Sequence, residues 1–306
     1  MNEPELKIKN KTHVNLVGII PIAAQPFDFN FPWHDSLMPI GHNYLAVEKS
    51  VLDCAVAGCD TIWIVCPKDV QPLIRYRLGD WIVDPIKYDK GVTFGKRPRV
   101  YEIPIYYAPM LPKDTGRRDS IPWSIITGAQ YAWHISKKLS RYTYPDKYFV
   151  SFPYGMFSPY WYKQHRSKIR STEANFYVSY EGKNFKDGLW LPFTFMIEDF
   201  LDCRRFFRKN EIKGHTSDGK KLKVADSWSG RFFTHDYVFN GVRTDDAAFC
   251  EVPWYHDVSS WEGLKTWLGG ENKLDKPKEV ILSYNEWNPL GIDPIIKEKE
   301  EEEIND

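Results

Sequence analysis

The run Leu16-Val17-Gly18-Ile19-Ile20-Pro21-Ile22-Ala23-Ala24, together with Tyr44 to Cys66 further on, decides the fold. The first stretch closes His13 to Ala24 (HVNLVGIIPIAA); it is too short and too β-branched for a helix and reads as a strand buried on both faces. Gln25 to His42 follows as a loop carrying Pro26, Pro32, Pro39 and Gly41. In Tyr44 to Ala57 the residues Leu45, Val47, Val51, Leu52, Ala55 and Val56 share one helical stripe, and Gly58 supplies the stop. Thr61 to Cys66 (TIWIVC) is a second buried strand. Strand, loop, helix, glycine, strand is a βαβ unit, for which a right-handed crossover is expected.

Outward from this unit, Val70 to Leu78 reads as a helix and Val100 to Tyr107 (VYEIPIYY) as a strand. Ser120 to Leu139 is a helix opened by Ser-Ile-Pro, and Tyr148 to Phe152 a short apolar strand. Short aromatic strands are expected at Asn175 to Val178 and Leu189 to Phe195, and a further one at Arg231 to Phe239. Trp261 to Leu268 reads as a helix and Val280 to Leu282 as a last strand. Residues 1–296 thus form one α/β domain with an excursion loop at about 209–223, and residues 297–306 form a charged tail. No internal repeat interrupts the pattern.

Composition narrows the function classes. Lys plus Arg and Asp plus Glu are equal at 41 each, so no basic footprint for nucleic acid is present. The local cluster Arg204, Arg205, Arg208, Lys209 and Lys213 has the spacing of a solvated helix face. Aromatic residues reach 16%, enough to fill a core or to build a binding surface. The five cysteines form no CxxC pair, which fits reduced thiols in a cytoplasmic setting. The opening residues are polar, unlike a signal peptide, and no apolar stretch is long enough for a membrane span, so a soluble protein without a membrane partner is expected. A hydrolase finds no G-x-S-x-G to start from.

Val17 to Val65 resembles the N-terminal half of the sugar-phosphate nucleotidyltransferases, or nucleotide-sugar pyrophosphorylases. The resemblance rests on Gly18-Ile19-Ile20-Pro21, on Ser36-Leu37-Met38-Pro39-Ile40, and on the join Ala57-Gly58-Cys59-Asp60-Thr61-Ile62-Trp63-Ile64-Val65. Ser124 to Ala132 is similar to a GTA-containing helix of that family. Tyr148 to Phe157 takes the place of a strand that ends in a metal-binding Asp. His256 to Leu264 resembles the segment that supplies a second such Asp, here Asp257. The resemblance implies a Rossmann-like GT-A nucleotidyltransferase fold, a mixed, mostly parallel sheet flanked by helices, from about residue 14 to 268. It also implies a ligand crevice outside the strand ends, with Ala24, Gln25, Asp28, Trp33, His34, Asp35 and Tyr154 as its candidate residues.

At that crevice the chain departs from the family. Ala24 and Pro26 stand at loop glycines, Asp28 where the catalytic Arg belongs, and Asp35 where a Lys belongs. Nucleotidyl transfer builds negative charge at the α-phosphorus, which loop amides, Arg, Lys and Mg²⁺ disperse. Pro26 offers no N–H, and one adverse charge pair at 4 Å costs about 4 kcal/mol at an effective dielectric of 20. No Asp occurs in Phe152 to Met156, which leaves Asp257 without its partner.

Two accounts follow. In the first the fold persists without the chemistry and needs no cofactor; the protein binds a nucleotide or sugar ligand, or serves as a structural component with a protein partner or as a homo-oligomer. In the second it is an active transferase in which Asp28, Asp35 and Asp257 hold Mg²⁺ and Arg117, Arg118 or Lys68 supplies positive charge. The same aspartates equally suit loop capping. Trp33, Tyr154 and Trp161 are candidates to stack on a ligand ring, and Phe152 to Tyr162 suits either core or interface.

Overall fold

The computed structural model of the chain describes residues 14–24, 27, 29–89, 93–94, 97–98, 101–139, 144–211 and 230–277. The βαβ unit forms where the pattern places it: β1 (Leu16–Pro21), α1 (Ala46–Ala57) and β2 (Thr61–Cys66). There follow α2 (Gln71–Leu78), β3 (Trp81–Val83), α3 (Pro85–Asp89), β4 (Glu102–Pro109), α4 (Ile121–Leu139) and β5 (Lys147–Val150). The second half contains α5 (Arg166–Arg170), β6 (Phe176–Ser179), β7 (Phe193–Met196), α6 (Ile197–Asn210), α7 (His235–Phe239), β8 (Ala248–Glu251) and α8 (Trp261–Gly269). The strands make one sheet in the order β8-β6-β7-β5-β1-β2-β4-β3. β7 and β3 run against their neighbours, and the remaining pairings are parallel.

Alternation along the two central strands explains their unbroken apolar runs. Leu16, Ile20, Ile62, Ile64 and Cys66 join the core under α1, α2 and α5. Val17, Ile19, Trp63 and Val65 join the core under α4, α6 and α7. Both faces are covered, so both parities must be apolar. Small residues set the approach: a Cβ on Gly18 would lie 2.9 Å from Cys54 Sγ of α1, and one on Gly128 of α4 would lie 2.9 Å from both Ile19 and Val65 Cγ2. Gly58 takes φ +87° to end α1, and its N–H donates to Ala55 O at 3.1 Å, with Cys59 N–H on Cys54 O at 3.1 Å.

Two expectations change on contact with the structure. Arg231 to Phe239 is not a strand; a short turn of 3₁₀ helix leads into α7, where His235, Val238 and Phe239 are buried at helical spacing. α1 is buried along its whole length rather than on one stripe, because Pro159–His165 packs over its outer side, with Tyr162 Oη donating to Asp53 O at 3.0 Å. Of the basic cluster, Arg205, Arg208 and Lys209 of α6 are exposed as expected, Arg204 is half-buried, and Lys213 lies outside the described residues; Phe200, Cys203 and Phe207 face the core. The last strand at Val280 to Leu282, residues 212–223 of the excursion loop and the tail 297–306 lie outside the described residues. All five cysteines are free and buried, and no described helix is long and apolar enough to cross a membrane.

Candidate ligand-binding crevice

The order of the sheet locates the site. From β1 the chain crosses to β2 on one side, whereas β5 pairs with β1 on the other. Loops leaving the carboxyl ends of β1 and β5 therefore diverge, and a crevice opens between them. Its floor, where Trp190 and His235 line it, is aromatic and rests on further buried rings: Tyr154 stands edge-on to Phe27 at 4.6 Å and to Trp190 at 5.5 Å, and His235 lies 4.7 Å from Trp190 and 5.4 Å from Phe152.

Two arms lead off this floor. The larger, of ≈ 960 Å³, lies over the ends of β1, β2 and β4 and is lined by Ala24, Lys68, Asp69, Met110, Asp119 and Arg231 among others. The smaller, of ≈ 370 Å³, shares Ala24, Asp119 and Arg231 and adds Ser120, Trp190 and His235. Asp119 and Arg231 form the wall common to both, with Nε on Oδ1 at 2.8 Å and Nη2 on Oδ2 at 3.1 Å. That forked pair ties the entry to α4 to the segment before α7.

Of the residues expected here, Ala24 lines both arms, while Gln25 and Asp28 lie outside the described residues. Asp35 is 2% exposed and works as a cap. Its Oδ2 accepts Phe27 N–H at 2.9 Å; its Oδ1 accepts Ser36 N–H at 2.8 Å and Tyr154 Oη at 3.3 Å, with His34 Nδ1 3.0 Å away. His34 in turn meets Ser36 Oγ at 2.8 Å, closing the 3₁₀ turn Asp35–Leu37. Tyr154, at 3% exposed, lines neither arm and belongs to the core behind Trp190, so it is no stacking platform; burial, reinforced by the Asp35 charge, pushes its phenol well above the ordinary value.

Trp33 is 48% exposed and ends a ladder in which Phe29, Phe31 and Trp33 stack at 5.1 and 5.4 Å. The ladder borders a separate cleft of ≈ 680 Å³ that reaches Asp69. Asp257 is exposed and accepts Ser259 N–H at 2.8 Å, in a two-stranded ribbon that pairs it with Gly155. Among the described residues no three His, Cys, Asp or Glu side chains converge as a metal site.

The charges proposed to come from other loops divide. Arg118 grips Glu211 with Nε at 2.8 Å and Nη2 at 2.5 Å and also holds Asp114 at 3.0 Å; Arg117 lies 3.3 Å from Glu211. Both are committed to carboxylates away from the crevice. Lys68 is exposed and does line the larger arm. Trp161 sits elsewhere, in a cleft of ≈ 830 Å³ beside Asp60 at the amino end of β2. Most of Phe152 to Tyr162 is core, with Tyr160 and Trp161 as its exposed rings.

Sequence reasoning missed Asp119, Trp190, Arg231 and His235. Trp190 and His235 fell in segments read as aromatic strands, where a ring signals packing. Ser120 carried a visible signal, the helix start, but that signal speaks for capping and not for a ligand.

The fold is a mixed α/β architecture of Rossmann-like build, with a candidate crevice at the carboxyl ends of the parallel strands. No family model and no curated protein matches the sequence. Among solved structures the chain is similar to a Bacillus anthracis protein assigned as a glucose-1-phosphate thymidylyltransferase, at 13% identity and a TM-score of 0.48 over 85% of this chain and 98% of that one. It is also similar to a UDP-glucose pyrophosphorylase in complex with UDP-glucose, at 12% identity and a TM-score of 0.47 over 83% and 97%. A nucleoside-diphosphate-sugar pyrophosphorylase from Vibrio cholerae gives 12% identity and a TM-score of 0.43 over 82% and 99%.

Proposed function

We propose that the chain is a ligand-binding protein on a nucleotidyltransferase-like fold, taking a nucleotide- or sugar-like small molecule in the crevice without transferring nucleotidyl groups. The observation that carries this reading is Asp35. At the position where the resemblance calls for a phosphate-binding Lys, a buried carboxylate is spent on two backbone amides and a phenol. A carboxylate so engaged folds its own loop and repels a triphosphate. Asp257 is spent in the same way on a turn. The crevice keeps what a binding site needs: volume, an aromatic floor, and a few polar groups at its rim.

The test is direct. Purified protein with Mg²⁺, the four nucleoside triphosphates and a panel of sugar phosphates is expected to release no pyrophosphate above background. Turnover that requires Mg²⁺ and disappears in Asp257→Ala would establish the transferase account instead. Binding is followed separately: UMP, used as a probe, is expected to raise the melting temperature, and Lys68→Ala to reduce that shift.

A further inference from the structure

The outer faces of α6 and α7 carry a knob of rings beside a row of cations. Phe232 is 71% exposed, Tyr237 47% and Phe206 37%. A single exposed ring needs no explanation, but these adjoin one another. Phe206 lies 5.2 Å from Tyr237, Tyr237 lies 5.3 Å from Phe233, and Phe233 lies 4.9 Å from the core ring of Phe207. Phe207 thus roots the cluster, and Phe232 carries it to the rim of the smaller arm. On α6, Lys209 stands three residues from Phe206 and four from Arg205, so the three share one side of the helix, with Arg208 beside Arg205. Arg205 pairs with Asp202 at 3.2 Å, whereas Arg204, Arg208 and Lys209 have no ion pair among the described residues. The crowding registers at Arg204, whose pKa is lowered first by burial and then by the Arg208 charge. The helix dipole favours cations in this last turn, but it does not account for bare rings next to them.

We propose that this face docks on an anionic lipid surface, the rings of Phe232, Tyr237 and Phe206 entering the headgroup layer while Arg205, Arg208 and Lys209 rest on lipid phosphates. Apolar rings flanked by cations are what such a surface selects, because it offers an apolar layer directly beneath negative charge. The shape of the cluster separates this partner from others. Its rings meet at 58–72°, so they form a convex knob and not the flat platform on which bases stack. A folded protein would need a matching hollow to take that knob, whereas a fluid bilayer yields to it. The long stems of Arg208 and Lys209 let their charged ends stay at the phosphates while the rings go deeper. Surface docking asks for no membrane span, so it amends only the expectation of a protein without a membrane partner. It would also turn the rim of the smaller arm toward the lipid, since Phe232 and Phe233 line that arm.

Co-sedimentation of the full chain with vesicles tests this, comparing phosphatidylcholine alone with phosphatidylcholine containing one-third phosphatidylglycerol. Binding is expected only to the mixed vesicles, and it should fall as salt is raised. Phe232→Ser removes the most exposed ring and should weaken binding about tenfold. Arg208→Gln combined with Lys209→Gln should weaken it about thirtyfold, close to a factor of five for each charge. All three side chains are exposed, so the melting temperatures should stay at the wild-type value. Lys163→Gln combined with Lys168→Gln makes the same charge change at and just before α5, on the opposite face of the sheet, and should leave binding unaltered. No excess binding to the mixed vesicles, or equal losses in the two charge pairs, would overturn the proposal. Tighter binding to oligothymidylate or to polyglutamate than to the mixed vesicles would also overturn it, by assigning the face to nucleic acid or to an acidic protein. None of these outcomes touches the crevice, which UMP binding and pyrophosphate release decide separately.

Discussion

His235 shows what one residue contributes to stability as well as to a site. Its pKa is lowered to about 4, first by burial, with the Asp236 charge and backbone hydrogen bonds opposing. In the unfolded chain the ring titrates near 6.5, so between about 6.5 and 4 the unfolded state binds the proton and the folded state does not. The stability held above pH 6.5 is therefore lost as pH falls to 4, by roughly 3 kcal/mol. His235→Phe is expected to flatten that acid limb in urea melts taken at steps between pH 7 and 4; an unchanged slope would show that the histidine titrates normally. Asp35 teaches the complementary lesson about legibility. The sequence shows a carboxylate where a cation was due, but ligation and capping demand the same residue type. The difference lies in which groups come near: Phe27 N–H is brought back from earlier in the same loop, and the Tyr154 hydroxyl comes from a segment distant in sequence.

At the scale of elements, the sequence was most legible where burial is symmetric. β1 and β2 carry apolar residues at both parities because helices cover both faces, and no other element type of that length explains the pattern. Arg231 to Phe239 was illegible for the opposite reason: over so short a window its aromatic residues satisfy a strand and a helix equally. The spacing of His235, Val238 and Phe239, continued by Val242, marks the helix only once the core is known. Contacts between elements add a prediction at two glycines. Gly128 presses α4 onto Ile19 and Val65, whose branched side chains have little room to turn. Gly128→Ala gains about 1 kcal/mol of helix propensity but overpacks the interface by about 1–3 kcal/mol, for a net loss. Gly155 is more constrained, because a Cβ there would collide with the backbone oxygen of Trp190. Gly155→Ala is expected to cost more than Gly128→Ala in denaturant melts; the reverse order would mean that the crevice floor yields more readily than the core.

Across the whole molecule, one buried ion pair joins the face of the sheet under α1 to the crevice floor. Lys49 and Asp53 are both fully buried, one turn apart on α1. Lys49 Nζ donates to Asp53 Oδ2 at 2.7 Å and to Gly155 O at 2.7 Å, and Ser151 Oγ donates to the same carboxylate at 2.7 Å. Burial drives the lysine pKa down and the aspartate pKa up, and the mutual attraction works against both shifts. In the sequence such an i, i+4 pair reads as a solvated face; only the segment folded over α1 makes it internal. Removing one partner strands the other charge, so Lys49→Met alone and Asp53→Leu alone are each expected to cost about 3–5 kcal/mol. The double variant leaves no stranded charge and should lose well under the sum, giving a coupling of at least ~2 kcal/mol in the double-mutant cycle. Because Gly155 O and Ser151 belong to the loop after β5, Lys49→Met should also speed amide exchange at residues 151–156 more than in β2. Additive singles, or exchange that rises evenly over the sheet, would mean that the pair stabilises α1 locally and leaves the crevice floor to its aromatic packing.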